Sequence, residues 1–384
     1  MNEFQRQFEE VRDLLRFGDY TLVVKRIIDF TLDTESVEFY RKGNSLLDWL
    51  DANDGSADKP AKLQLALDEL HAYLVNKPLA PREKILEAMG VTKRYGGNAF
   101  ALGPVNLELY AGDIIGLVGE NGNGKTTLLR VLSGELHASA GGVKYGFPSN
   151  DLYELRTRLV YIPQRTDTWN GPMFENLVFT ASTYGYSVEE NELVVNLVIA
   201  RLGLRKYRHH SWKNLSSGYK MRFELARMLL RKPKVLLIDE PLANLDILAQ
   251  QTVLEDFRSI AKSPFRPVGI ILSSQQLYEV EKTSSQVIFL KLGVQKNLYD
   301  TSPQAVEEAK PLVIEFESDW GQSALNDAFA QYGLASIQFN GSTYIATFNA
   351  GVSVYGFMQA VIDKQVPVAY FRNISNSTRR FFVS

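Results

Sequence analysis

The stretch Gly119-Glu120-Asn121-Gly122-Asn123-Gly124-Lys125-Thr126-Thr127 has the spacing G-x-x-x-x-G-K-T and directly follows an apolar run. That spacing describes a phosphate-binding loop. Its glycines let the backbone curl until successive N–H groups point at one spot, the Lys125 ammonium places a point charge on the terminal phosphates, and the Thr126 hydroxyl can hold Mg²⁺. The flanks agree. Asp113-Ile114-Ile115-Gly116-Leu117-Val118 reads as a buried strand, and Thr127-Leu128-Leu129-Arg130-Val131-Leu132 continues as a helix, so the loop presents a helix N-terminus to an anion. The loop therefore assigns Gly119, Asn121, Gly122, Asn123, Gly124, Lys125, Thr126 and Thr127 to a nucleoside triphosphate.

The rest of the 384-residue chain is long enough for two or three domains, and 45% apolar with 22% charged residues is the composition of an ordinary globular protein. The 42 basic and 44 acidic residues nearly cancel, so no overall field favours nucleic acid and none is expected as a partner. Cysteine is absent and histidine numbers only 4, which excludes disulfides and thiolate metal sites. The start, Met1-Asn2-Glu3-Phe4-Gln5, lacks a signal-peptide pattern, and no apolar run approaches the roughly 18 residues of a membrane span. A cytoplasmic location is expected.

Phe4, Phe8, Val11 and Leu15 recur at helical spacing, as do Leu63, Leu67, Leu70 and Leu74, with further helical patterns around Ile27 and Leu47. These predict a helical N-terminal domain over 1–80, a bundle of about four helices whose apolar faces satisfy one another. A chain starting near Pro81 is then expected to stay soluble. Strand patterns take over at Ile85–Val91 and Val105–Leu109, opening a nucleotide-binding domain over 81–300 with a mainly helical stretch between Pro172 and Arg208. From Leu312 onward the order reads β-α-β-β-α-β across an Asn340-Gly341 turn, which predicts a C-terminal ferredoxin-like α+β domain over 308–384.

Val235-Leu236-Leu237-Ile238-Asp239-Glu240-Pro241 is an apolar strand ending in two carboxylates, suited to a central strand whose C-terminal end faces bound nucleotide. Asp239 can hold Mg²⁺ and Glu240 can polarise an attacking water. Upstream, Leu215-Ser216-Ser217-Gly218-Tyr219 opens an apolar helix. With these pieces in this order the chain resembles the ABC-type ATPases, over roughly Ile85 to Leu298. The resemblance implies an α/β fold of the ABC P-loop type, with ATP and Mg²⁺ as ligands. It also implies that Ser216 and Gly218 contact ATP held by a second nucleotide domain. Tyr95 matches the family's adenine-stacking aromatic. Gln164, in Tyr161-Ile162-Pro163-Gln164, matches the glutamine that reaches Mg²⁺ and the attacking water, and Ala243-Asn244-Leu245-Asp246 matches the loop that crosses the dimer interface. Where the family carries a histidine that contacts the γ-phosphate, this chain has Gln275.

What the resemblance implies is an ATP-hydrolysing subunit, with Glu240, Gln164 and Gln275 in catalytic positions and Thr126, Gln164 and Asp239 around the metal. It would act as a homodimer or heterodimer of nucleotide domains, peripheral on the inner face of the cell membrane through an integral transporter subunit. Phe174-Glu175-Asn176-Leu177 and Ala181-Ser182-Thr183-Tyr184-Gly185 look like the helical subdomain of exporter ATPases for drugs, lipids or polysaccharides. Gln275 adds the expectation of slow turnover. Two alternatives stay open on the sequence: a regulatory ATP-binding module with little hydrolysis, and a soluble ABC ATPase acting on ribosomes or nucleic acid.

Overall fold

The computed structural model describes residues 2–53, 55–96, 101–149, 151–275, 277–296 and 311–375. It divides into two compact units, 1–296 and 297–384. The expected boundary between 300 and 308, and the terminal Thr378–Phe382, lie outside the described residues.

Four helices open the first unit: α1 (Glu3–Arg16), α2 (Tyr20–Thr34), α3 (Val37–Ala52) and α4 (Lys59–Leu74). The first begins where Asn2 Oδ1 accepts from the Gln5 N–H at 2.9 Å and Gln5 Oε1 accepts from the Asn2 N–H at 3.1 Å. This reciprocal cap satisfies two otherwise orphaned donors and contributes about 1 kcal/mol. Phe4, Phe8, Phe30, Leu63, Leu67 and Leu74 form a shared core, with each fully buried side chain of this size stabilising by roughly 1.5–3 kcal/mol.

That core is not closed on itself. Phe265, more than 190 residues further along, belongs to it, with its ring centroid 5.3 Å from that of Phe4. Helix α2 is also buried on a second face through Ile28 and Thr31. The expectation of a self-satisfied bundle is therefore corrected. The reason lies in two helices, α7 (Met173–Thr183) and α8 (Val188–Arg201), the second of which buries Val194, Val195, Leu197, Val198 and Ile199. A helix half buried on several sides must be covered on each of them, and α2 and α3 provide part of that cover. Gly43 of α3 marks the closest approach: a Cβ there would lie 3.1 Å from Leu197 Cδ2 and 3.0 Å from Thr31 Cγ2.

The remaining elements of this unit build two sheets. Strands β1 (Lys84–Arg94), β2 (Ala101–Tyr110) and β4 (Ala140–Tyr145) form an antiparallel sheet in the order β2-β1-β4. Strand β3 (Ile114–Val118) leads through the glycine-rich loop into α5 (Lys125–Leu132). Helix α6 (Leu152–Arg158) precedes β5 (Leu159–Ile162), and α9 (Ser217–Leu229) precedes β6 (Val235–Ile238). Then come α10 (Ile247–Ala261), β7 (Gly269–Ser274), α11 (Leu277–Thr283), β8 (Gln286–Lys291) and β9 (Val294–Lys296). The second sheet runs β5-β6-β7-β3-β8-β9, parallel except for the last pair. Strands β3, β6 and β7 are buried at every residue, as near-continuous apolar runs in a covered parallel sheet should be.

The second unit contains β10 (Pro311–Ser318), α12 (Gln322–Phe329), β11 (Leu334–Asn340), β12 (Thr343–Ala350), α13 (Val354–Asp363) and β13 (Val368–Asn373). Its antiparallel sheet has the order β11-β12-β10-β13, the ferredoxin-like arrangement, with Phe316, Phe329, Phe348 and Phe357 packed between sheet and helices.

Candidate active site

Register in the parallel sheet decides which residues meet. Ile162 of β5 lies beside Ile238 of β6, Ile238 beside Leu272 of β7, and Ser274 of β7 beside Val118 of β3. The segments that leave these four strand ends carry Gln164, Asp239 with Glu240, Gln275, and the loop from Gly119 to Thr127. One end of the sheet thus gathers pieces of sequence as far apart as Gly119 and Gln275.

The loop has the conformation its glycines permit: Gly122 and Gly124 sit at φ of 81° and 95°. A Cβ at Gly119 would collide with the Leu290 carbonyl oxygen. The Asn123 side chain is part of the scaffold, since its Oδ1 accepts from the Leu292 N–H at 2.8 Å and pins the loop to the segment after β8. Lys125 is buried at 5% exposure; its ammonium donates to the carbonyls of Gly119 at 2.6 Å and Glu120 at 3.2 Å, and lies 3.1 Å from Glu240 Oε1. The contact with Glu240 is Coulombic, since that oxygen is buried without an aligned hydrogen bond.

Around Asp239 the network is tighter. The Thr126 hydroxyl donates to Asp239 Oδ2 at 2.6 Å, and the Tyr161 hydroxyl reaches the same oxygen at 3.4 Å. Burial, and then the negative charge of Asp239, push the Tyr161 phenol well above its ordinary pKa, so it remains a neutral donor. Ser273, fully buried at the end of β7, donates to Asp239 Oδ1 at 2.6 Å and accepts from the Glu240 N–H at 2.8 Å. Glu240 itself has φ of 50°, in the left-handed region that a residue with a side chain adopts only when its surroundings impose it. Neither Ser273 nor Tyr161 carries a signal of its own in the sequence: a serine at a strand end has no spacing mark, and Tyr161 is one aromatic in the stretch around Gln164.

Other assigned residues stand apart from this network. Gln164 and Gln275 are exposed beside it. Tyr95 is 41% exposed with Lys93 Nζ 5.6 Å from its ring centroid. Ser216 caps α9 by accepting from the Tyr219 N–H at 3.5 Å, and Ser217 donates to the Asn244 carbonyl at 2.8 Å, which ties the start of α9 to the loop after Glu240.

The donor set suits Mg²⁺. No cluster of three or more His, Cys, Asp or Glu side chains occurs among the described residues. A hydroxyl and one carboxylate converge instead, and Mg²⁺ commonly takes one or two protein oxygens together with nucleotide phosphates and water.

Comparison with known proteins bears directly on this constellation. Residues 102–243, which include the loop, the start of α9 and the paired carboxylates, match the family model described as ABC transporter. These residues form an ABC transporter ATP-binding domain. A putative ABC transporter ATP-binding protein of Archaeoglobus fulgidus is 29% identical over 217 residues, covering 54% of this chain and 87% of that protein. The manganese transport system ATP-binding protein MntA of a Synechocystis species is 33% identical over 174 residues, covering 43% and 66%. The spermidine/putrescine import ATP-binding protein PotA of Mycoplasma mycoides is 30% identical over 222 residues, covering 54% and 59%. Among solved structures, cbiO1 of Clostridium perfringens, part of the complex cbiONQ, superposes with a TM-score of 0.51 at 23% identity over 56% of this chain and 88% of its own, which supports the fold. ABC ATPase domains bind ATP with Mg²⁺, and they work as dimers paired with membrane subunits. In this ABC domain no helix is long and apolar enough to cross a membrane, and the same holds for all described residues.

Proposed function

We propose that the chain is the ATP-hydrolysing subunit of an ABC exporter, acting as a head-to-tail dimer on the cytoplasmic face of the membrane against a separate spanning partner. The observation that carries this reading is the double pairing at the end of β6: Asp239 with Thr126 at 2.6 Å, and Glu240 with Lys125 at 3.1 Å. Lys125 and the loop amides hold the phosphates and offset their charge as the γ-phosphoryl group is transferred to water. Glu240 accepts the proton of that water. Thr126, Asp239 and Gln164 would hold Mg²⁺, which when bound neutralises charge on the phosphate oxygens. Ser216 and Gly218 would contact ATP held by the second domain, whereas Tyr95 would stack on the adenine, and Gln275 reach the γ-phosphate, of the ATP on this chain's own loop.

Export rests on the likeness of Phe174–Gly185 to exporter subdomains. The ATPase core alone does not choose a direction, since PotA is named for import. A second reading follows from Gln275: an amide is a neutral donor and cannot supply the cation of an imidazolium, so the chain would bind ATP and turn it over slowly as a regulatory module.

The test is affinity isolation of the full chain from membranes, with Lys125→Ala in parallel. The parent should carry an integral membrane protein and Mg-ATPase activity. The variant should lose ATP affinity by roughly 2–4 kcal/mol, since a charge-assisted contact to phosphate is removed. An ATP affinity within about twofold of the parent, measured calorimetrically, contradicts the assignment of Lys125. Full ATPase activity with no integral protein attached contradicts the transporter assignment.

A further inference from the structure

Behind the parallel sheet, between α2, α8 and α10, lies a half-enclosed cavity of about 350 Å³. It adjoins Lys234 and Val268, which precede β6 and β7, at the opposite ends of those strands from Asp239 and Ser273, so it is separate from the nucleotide site. Part of its wall is apolar, formed by Phe30, Val194, Val198, Leu229 and Ile260.

The charges around this cavity do not balance. Three carboxylates reach it and each already has a cation: Asp29 pairs with Arg201 at 2.6 Å, Asp33 with Arg266 at 2.9 Å and Glu35 with Lys77 at 3.1 Å. Further cations remain. Arg26 lies 3.8 Å from Asp29, which Arg201 already holds. Lys232 and Lys234 also line the cavity, and neither has a carboxylate within 4.0 Å among the described residues. The Lys232 ammonium stands 4.5 Å from the Tyr186 ring centroid, at the cavity wall.

We propose that this cavity binds a small organic anion with an apolar body, of the class of medium-chain or aromatic carboxylates and sulfonates. An apolar volume in the range of small-molecule pockets takes the body, and the surplus positive charge at Lys232 and Lys234 takes the head group. Inorganic phosphate would leave the apolar walls unused. A neutral hydrocarbon would gain nothing from the cations. The proposal does not depend on the direction of transport or on the rate of ATP turnover.

The experiment uses the full chain with saturating Mg-ATP, which keeps the probe out of the nucleotide site, and 8-anilinonaphthalene-1-sulfonate as a fluorescent probe. One probe per chain should bind, and decanoate should displace it at least about tenfold more effectively than 1-decanol. The double variant Lys232→Glu, Lys234→Glu should weaken probe binding by roughly tenfold or more with an unchanged melting temperature, because both side chains are exposed. Ser259→Trp, which fills the cavity from α10, should abolish it. If Ser259→Trp does not fold, the charge reversal decides. Absence of probe binding, equal displacement by decanol, or binding indifferent to the charge reversal overturns the proposal.

Discussion

Ser273 is the residue on which the geometry of both carboxylates at the end of β6 converges. Its hydroxyl fixes the rotamer of Asp239 and, by accepting from the Glu240 N–H, holds a left-handed backbone that would otherwise relax. Ser273→Ala leaves one buried donor and one buried acceptor unsatisfied, at about 1–3 kcal/mol each, in a site where orientation sets the rate. We expect kcat to fall by roughly one to two orders of magnitude, with a raised Mg²⁺ requirement and partial rescue by Ser273→Thr, measured as Mg²⁺-dependent ATPase. Equal loss in the Ala and Thr variants would reduce Ser273 to packing. Two residues along, Gln275 is exposed at the mouth of the site. A well-aimed donor in such a site is worth up to about 3–4 kcal/mol, and exchanging a neutral donor for one that can carry charge recovers part of that. Gln275→His should therefore raise kcat roughly tenfold with little change in ATP affinity, which Lys125 and the loop amides set. An unchanged or lower kcat would mean that the glutamine is the residue this site is built around.

At the scale of elements, one carboxylate ties α10 to three other helices. Asp256 is 1% exposed and takes Arg201 of α8 at 2.7 Å, Lys25 of α2 at 3.1 Å and Arg222 of α9 at 3.7 Å. Removing one partner of a buried ion pair costs more than the pair contributes, because the cations left behind stay desolvated. Asp256→Ala should lower the free energy of unfolding by about 3–5 kcal/mol in urea titration; a change under about 1 kcal/mol would show that the cations regain water without cost. None of this was legible in the sequence, where Asp29 and Arg201 stand 172 positions apart and each reads as a solvated charge. Phe265 was hidden for a related reason: it sits in Ser263-Pro264-Phe265-Arg266-Pro267, a loop by composition, yet packs in the helical core. What the sequence did carry was local. The glycine spacing of the loop, the apolar run of β6 ending in Asp239 and Glu240, and the Asn340-Gly341 turn between β11 and β12 each depend on neighbours in the chain. Side-chain partners across elements do not.

For the whole molecule, the question is what the N-terminal helices contribute to the ATPase unit they share. Two effects compete in a chain that starts at Pro81. The charged ties are lost, but Arg266, freed from Asp33, regains water, and Arg201 keeps Asp256 at 2.7 Å, so this loss is small. The apolar loss has no such relief. Phe265, Val194, Leu197 and Val198 are each under 10% exposed and face α1, α2 or α3 through the shared core, the cavity or Gly43. Exposing four such side chains costs roughly 6–12 kcal/mol as an upper estimate, comparable to the roughly 5–15 kcal/mol that stabilise a typical domain. The hydrophobic term therefore decides, and the truncated chain should aggregate or melt well below the full chain, with ATP binding weakened in proportion to the unfolded fraction. Calorimetric melting with and without Mg-ATP checks this. A truncated chain that melts as the full chain does would show that the helices only rest on the ATPase domain, and would restore the reading of a bundle whose apolar faces satisfy one another.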